Sequence, residues 1–298
     1  MTAPLGRLLT AMITPMTPAG EVDIDGVQRL ARALIASGTE GIVSTGSTGE
    51  AAALTEEETV AVWKATKAAA GPDVAVIAGA TNNDHIASLR LTREAVQAGM
   101  DGVLLTVPAY SKPPQAGLVR HFTALAEAAG GLPCVLYNIP GRSALNMTAE
   151  TTLRLAEVPN IVGIKESSEM FGQIGEIIAR APQGFRVWSG NDTDTLMVMA
   201  LGGYGVVSVA SHLVGRQIRA QIEAACAGRE AEAAAIHHRL MPLVNALFVE
   251  SNPIPVKYAV AKAGFPAGPP RLPLVEASEA ARARIDAAMA QTTIDLGR

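Results

Sequence analysis

The stretch CVLYNIPGRSALNMTAETTLRLAEVPNIVGIK, residues 134–165, contains the repeating pattern that decides the fold. An apolar run, Cys134–Tyr137, leads through a loop into a helical stretch. The breaker Pro159-Asn160 then introduces a second apolar run, Ile161–Ile164. Short runs of this kind, rich in β-branched residues and leucine, read as buried strands when breakers bound them. Moving outward, the same unit recurs with Leu8–Ile13, Gly41–Ser44, Val74–Ala78, Gly102–Val107, Arg186–Trp188 and Gly205–Val209 as the apolar runs. Helices fit between them. Ile24–Ser37 carries Val27, Leu30, Ala31, Leu34 and Ile35 at helical spacing, Thr55–Ala70 opens on a capping threonine with three glutamates, and His85–Gly99 ends on glycine.

Eight strand–helix alternations suit either a doubly wound sheet or a (β/α)8 TIM barrel. The doubly wound sheet would want a Gly-x-Gly-x-x-Gly turn after a strand, and none occurs; Gly202-Gly203-Tyr204-Gly205 precedes its strand. An α/β protein built as a TIM barrel is therefore expected. From His212 to about Gly264 the chain is alanine-rich and helical, broken at Gly228 and at Ser251-Asn252-Pro253. A proline-rich passage, 266–273, precedes a final helix at 277–291. This predicts a barrel over residues 1–211, with 212–298 adding the last barrel helix and a C-terminal helical extension as one structural unit.

Composition narrows the function. Of 298 residues, 49% are hydrophobic and 17% charged, which is globular; 24 Lys+Arg against 28 Asp+Glu leave no basic footprint for nucleic acid. No apolar run is long enough to span a bilayer, and Met1–Thr10 does not read as a secretory signal. Two distant cysteines, Cys134 and Cys226, make neither a disulfide framework nor a CxxC zinc site, so a cytoplasmic setting is expected. The histidines, His85, His121, His212, His237 and His238, lack metal-ligand spacing and read as surface or helix-packing residues, and no acidic cluster suggests a metal site. Met197 and Met199 read as core filler.

In a TIM barrel, catalytic groups sit at the C-terminal ends of strands. Of six lysines, Lys165 alone ends a buried-looking strand. Burial disfavours an ammonium and leaves a neutral amine able to form a Schiff base with a carbonyl; the plainer alternative is a salt bridge with Glu166. Tyr137 ends the preceding strand, where a phenol suits proton relay and an aromatic also suits barrel filling. Arg142 has the fork for a carboxylate, although it also reads as a surface arginine. Gly46-Ser47-Thr48-Gly49-Glu50 is a tight turn whose N–H groups and hydroxyls suit a small anion.

Taken together, Gly46–Glu50, Tyr137-Asn138-Ile139-Pro140 and Gly163-Ile164-Lys165-Glu166 resemble the signature blocks of the pyruvate-dependent class I aldolases of the N-acetylneuraminate lyase superfamily. Three further segments resemble its dihydrodipicolinate synthase family: Pro140-Gly141-Arg142, Ala200-Leu201-Gly202-Gly203 running into Gly205–Val209, and Asn252-Pro253-Ile254-Pro255-Val256-Lys257 with Arg271-Leu272-Pro273 downstream. The resemblance covers most of the chain. It implies a lyase of lysine and diaminopimelate biosynthesis that condenses pyruvate with L-aspartate 4-semialdehyde, with no cofactor or metal. By the same resemblance Lys165 forms the imine, and Tyr137, Thr48 and Tyr110 relay protons, Tyr110 reaching into a neighbouring subunit. Ser47 and Thr48 hold the pyruvate carboxylate, Arg142 receives the semialdehyde, and the backbones of Gly190 and Val207 lie beside the lysine. A homo-oligomer, built as a dimer of dimers, follows from the role given to Tyr110.

The chain departs from the family pattern at several positions. Ser47 stands where threonine is usual, Asn191 where aspartate is common and Ala109 where an aromatic is common. Ala109 and a short-looking Gly79–Asp84 segment weigh against feedback inhibition by lysine. Two other functions fit parts of the pattern. One is an aldolase or dehydratase of a 2-keto-3-deoxy sugar acid or another 4-hydroxy-2-oxo acid; the other is a catalytically silent scaffold. Arg142 weighs against the first, and retention of both Lys165 and Tyr137 against the second.

Overall fold

The computed structural model describes residues 5–297. Met1–Pro4 and Arg298, at the outer ends of the two expected segments, lie outside the described residues, as does the start of the Met1–Thr10 stretch. The barrel half of the chain runs β1 (Leu8–Ala11), α1 (Ile24–Ala36), β2 (Gly41–Ser44), α2 (Glu56–Ala70), β3 (Ala75–Gly79), α3 (His85–Gln97), β4 (Gly102–Thr106) and α4 (Gln115–Ala128). It continues through β5 (Cys134–Asn138), α5 (Pro140–Ser143), α6 (Ala149–Leu155), β6 (Ile161–Glu166), α7 (Phe171–Arg180), β7 (Arg186–Ser189), α8 (Thr195–Ala200) and β8 (Gly205–Ser208). Four helices follow: α9 (Ser211–Cys226), α10 (Glu230–Ala246), α11 (Ile254–Lys262) and α12 (Glu279–Ala290).

All neighbouring strands are parallel, and β8 returns to pair with β1 through Leu8–Val206, Leu9–Val207 and Thr10–Ser208, closing an eight-stranded barrel. Closure excludes the doubly wound alternative. Local chemistry fixes the helix starts. Thr55 and Glu58 form a reciprocal capping box at the start of α2, and the Asp23 and Asp84 side chains cap α1 and α3. Inside the barrel, Leu9, Val43, Ile77, Leu104, Val135, Tyr137, Trp188 and Val207 fill the axis. Outside it, Leu243, Val256, Val260 and Ile285 of the C-terminal helices share one buried cluster with Leu8, Val27, Leu30 and Leu213. The helices after β8 therefore bury their apolar faces on the barrel near β1.

The structure revises some expected boundaries. β1 stops at Ala11 instead of Ile13, and β6 continues through Lys165 to Glu166, so the lysine is itself paired within the sheet. Arg142 lies on the one-turn helix α5, which Pro140 starts, where a loop was expected. Met199 packs partly against the core, but Met197 is 53% exposed, so the reading of Met197 as core filler is corrected: the short helix α8 turns that face outward.

His212, at the start of α9, is fully buried beneath the β1 end of the barrel. Its Nε2 accepts the Ile13 N–H at 3.1 Å and its Nδ1 lies 2.8 Å from the Val209 carbonyl, so the bonded ring is neutral with the proton on Nδ1. Burial pushes its pKa down to about 4. The unfolded chain takes up this proton near pH 6.5 while the native chain refuses it until about pH 4, so this contribution to stability falls as pH drops through that window. Between pH 7 and pH 5 the loss from His212 is about 2 kcal/mol. Urea unfolding at both pH values should show that loss, and His212→Gln should reduce the pH dependence. An unchanged pH dependence in His212→Gln would refute the assignment.

Candidate active site

Parallel pairing sets the first part of the site. The register of β5 on β6 places Tyr137 beside Lys165 and Asn138 beside Glu166. Lys165 is only 5% exposed and Tyr137 4%. The Lys165 Nζ lies 4.1 Å from the centroid of the Tyr137 ring, and it makes no ion pair or hydrogen bond among the described residues. Gly190, just past β7, donates its N–H to the Glu166 carbonyl at 2.8 Å. A side chain there would run into the Ser167 hydroxyl and come within 3.0 Å of Lys165 Cε, so glycine is what gives the lysine stem its space. Val207 on β8 is buried in the same axial cluster as Tyr137 and Trp188.

The salt bridge offered as the alternative role for Lys165 is not made. Glu166 points instead to Asn138 Nδ2, to the Ser168 N–H at 2.8 Å and to Gln173. Burial pushes its carboxyl above the usual range, and these hydrogen bonds pull it back. A second buried carboxyl, Asp192, is also raised by burial. The Ser208 hydroxyl, the Ala210 and Val209 N–H groups and the positive charge of Lys165 oppose that rise.

The second part of the site is the turn after β2. Thr45 and Glu50 both have positive φ, 51° and 59°, and they bracket the Gly46–Gly49 segment. Gly49 is required there, because an added Cβ would lie 2.9 Å from Thr45 Cα. Thr48 is buried, and its hydroxyl accepts a hydrogen bond from Asn252 Nδ2 at 2.8 Å, which leaves the hydroxyl proton available to another acceptor. The Asn252 carbonyl in turn accepts from Arg142 Nη2 at 2.8 Å. One residue of the C-terminal extension therefore joins Thr48 to Arg142.

These contacts sort the expected residues into groups. Lys165, Tyr137 and Gly190 come together at the ends of β5 to β7, and Val207 of β8 shares the axial cluster with Tyr137. Ser47, Thr48 and Arg142 lie at the same mouth of the barrel, the last two linked through Asn252. Tyr110 stands apart: it is 93% exposed, has φ of 73° and makes no hydrogen bond among the described residues. Among the described residues, no group of three or more His, Cys, Asp or Glu side chains is placed to hold a metal ion. Asn252 and the buried pair formed by Glu50 and Lys257 were not singled out as site residues. A lysine among Ile254, Pro255, Val256, Ala259 and Val260 was the signal in the sequence that it would be buried and paired.

Comparison with known proteins matches the chain almost from end to end. Residues 4–292 match the dihydrodipicolinate synthetase family. The chain is 53% identical over 275 residues to the 4-hydroxy-tetrahydrodipicolinate synthase of Symbiobacterium thermophilum, covering 92% of this chain and 93% of that one. It is 49% identical over 287 residues to the enzyme of the same name from Moorella thermoacetica, covering 96% and 98%. Among solved structures, a dihydrodipicolinate synthase from Cyanidioschyzon merolae with lysine bound superimposes with a TM-score of 0.95 at 44% identity, over 96% of this chain and 97% of that one. With sequence and fold matched almost from end to end, the chain belongs to the dihydrodipicolinate synthetase family.

Proposed function

We propose that Lys165 is the residue through which the chain condenses pyruvate with L-aspartate 4-semialdehyde to give 4-hydroxy-tetrahydrodipicolinate. The observation that carries this reading is a buried lysine, free of any ion pair among the described residues, set against a tyrosine at the mouth of a barrel. The amine adds to C2 of pyruvate, and the carbinolamine gains a proton and loses water to form an iminium. Loss of a C3 proton gives an enamine, whose C3 attacks the aldehyde carbon while the aldehyde oxygen takes up a proton. The amino group of the semialdehyde then attacks C2, closing the ring and expelling the Lys165 amine.

Each remaining residue has a role that its placement supports. Tyr137, against Lys165, moves protons to and from the carbinolamine. Thr48, with its hydroxyl proton uncommitted, continues that relay, and the Ser47–Thr48 turn holds the pyruvate carboxylate. Arg142 holds the carboxylate of the semialdehyde, and the backbones of Gly190 and Val207 line the lysine.

Borohydride reduction in the presence of pyruvate should attach pyruvate to the peptide containing Lys165, read by mass. Arg142→Ala should keep that labelling but lose about ten- to hundredfold in kcat/KM for the semialdehyde, the effect of one charge-assisted hydrogen bond. Labelling at another lysine would overturn the mechanism. An unchanged response to the semialdehyde would overturn the role of Arg142 and favour the sugar-acid reaction.

Tyr110 is read as serving a second copy of the chain. Pro108, Pro113 and Pro114 stiffen its loop, and the Asn83 side chain accepts the Ala109 N–H at 2.9 Å, so the tyrosine is held outward and away from its own barrel. This supports a homo-oligomer of at least a dimer, assembled as a dimer of dimers. One relative, a monomeric dihydrodipicolinate synthase variant, superimposes with a TM-score of 0.92 at 35% identity, covering 96% of both chains. A cytoplasmic setting is supported by the two free cysteines, Cys134 buried and Cys226 exposed. No helix among the described residues is long and apolar enough to cross a membrane. Mixing inactive Tyr110→Phe with inactive Lys165→Ala protein, under conditions of verified subunit exchange, should restore part of the activity. Exchange without recovery would show that Tyr110 serves no neighbouring site.

A further inference from the structure

Behind the turn that carries Ser47 and Thr48, the side chains of Glu50 and Lys257 meet at 2.6 Å with 1% and 2% exposure. Every donor of the Lys257 ammonium is committed: to Glu50 Oε1, to the Thr14 carbonyl at 3.2 Å and to the Pro269 carbonyl at 3.1 Å. The other Glu50 oxygen accepts the Arg271 N–H at 2.8 Å. Thr14 completes the clamp from the barrel side, its hydroxyl donating to the Gly49 carbonyl at 2.7 Å. A second anchor lies alongside: the Arg271 guanidinium binds both oxygens of Glu58, at 2.7 and 2.6 Å, and the Ala53 carbonyl at 2.8 Å.

A buried ion pair is a poor device for stability alone, because desolvation offsets most of its attraction. Its strength is direction, since three fixed acceptors allow the ammonium one place. Glu50 also sits at φ 59°, a backbone state that a non-glycine residue keeps only when its surroundings hold it. The residue that touches Thr48, Asn252, lies just ahead of the helix that carries Lys257. The mechanism above gives Glu50 and Lys257 no role.

We propose that Glu50 and Lys257 are positioning residues: through this pair the C-terminal extension sets the Gly46–Glu50 turn, and with it the Thr48 hydroxyl and the cradle for the pyruvate carboxylate. The proposal rests on the reading of Lys165 and Thr48 given above and adds to it a dependence of pyruvate binding on a helix outside the eight strand–helix units.

Removing one partner strands a buried charge, so the informative variant is the double substitution Glu50→Gln with Lys257→Met, which removes both charges at similar volume. It should unfold near the wild-type temperature and still be labelled on Lys165 by borohydride at saturating pyruvate, while KM for pyruvate rises at least about tenfold, as expected for a misplaced binding group. Thr48→Val should then cost a smaller factor in kcat/KM in this background than in the wild type, the non-additivity of residues that act as a unit. A purely structural pair predicts the opposite: restored stability restores KM, and the two losses multiply. Either result in the folded double variant overturns the proposal.

Lys257→Arg keeps the charge but cannot repeat the three contacts, and it decides the matter if the double variant does not fold. In protein that still unfolds cooperatively and is labelled on Lys165 at saturating pyruvate, it should raise KM for pyruvate several-fold, and an unchanged KM overturns the proposal. Absence of labelling in the wild type itself would overturn the reading of Lys165, and the positioning role with it; labelled wild type with unaffected variants overturns the positioning role alone.

Discussion

The ammonium of Lys257 has no water to return to. It is enclosed by two backbone carbonyls and the Glu50 carboxylate, and that carboxylate lies on the turn that leaves β2. Two charges taken out of water must find each other in good geometry, or the fold loses several kcal/mol. The C-terminal helices consequently have one way to dock. Their apolar faces cover the β1 side of the barrel, which many arrangements would satisfy, but only one also brings Lys257 to Glu50. Asn252 and Arg271 take their places against Thr48 and Glu58 within the same docking.

The barrel supplies a rigid frame for residues under strain. Thr45, Glu50, Tyr110, Lys112, Ala144 and Glu169 are the non-glycine residues with positive φ among the described residues, and all lie on segments that leave β2, β4, β5 and β6. The opposite end of the barrel has none of them. Backbone strain of this kind persists where surrounding contacts over-determine it, and here it gathers at the end of the barrel to which Lys165 and Tyr137 belong, each one residue before its strand ends.

Much of this was legible in the chain. Closure of eight parallel strands followed from counting apolar runs, and Lys165 and Tyr137 followed from their place at the ends of two of those runs. Strand position is local information: a residue at the end of a buried run will sit at the mouth of a barrel whatever the helices do. The capping role of Thr55 was equally local and holds, with Glu58 completing a reciprocal capping box. Met197 was misread because helical spacing does not tell which face of a short helix a neighbour covers.

The sequence by itself determined the number and order of the strands, to within a residue or two of their ends, and the family to which the chain belongs, because these depend on patterns within a few residues of one another. The tertiary structure alone decided what Asn252, Lys257 and Arg271 do. They meet Thr48, Glu50 and Glu58 across separations of 204, 207 and 213 residues. No periodicity reports such a pairing, because it is set by where the closed barrel lets the last helices pack and by the need of each buried charge for a partner.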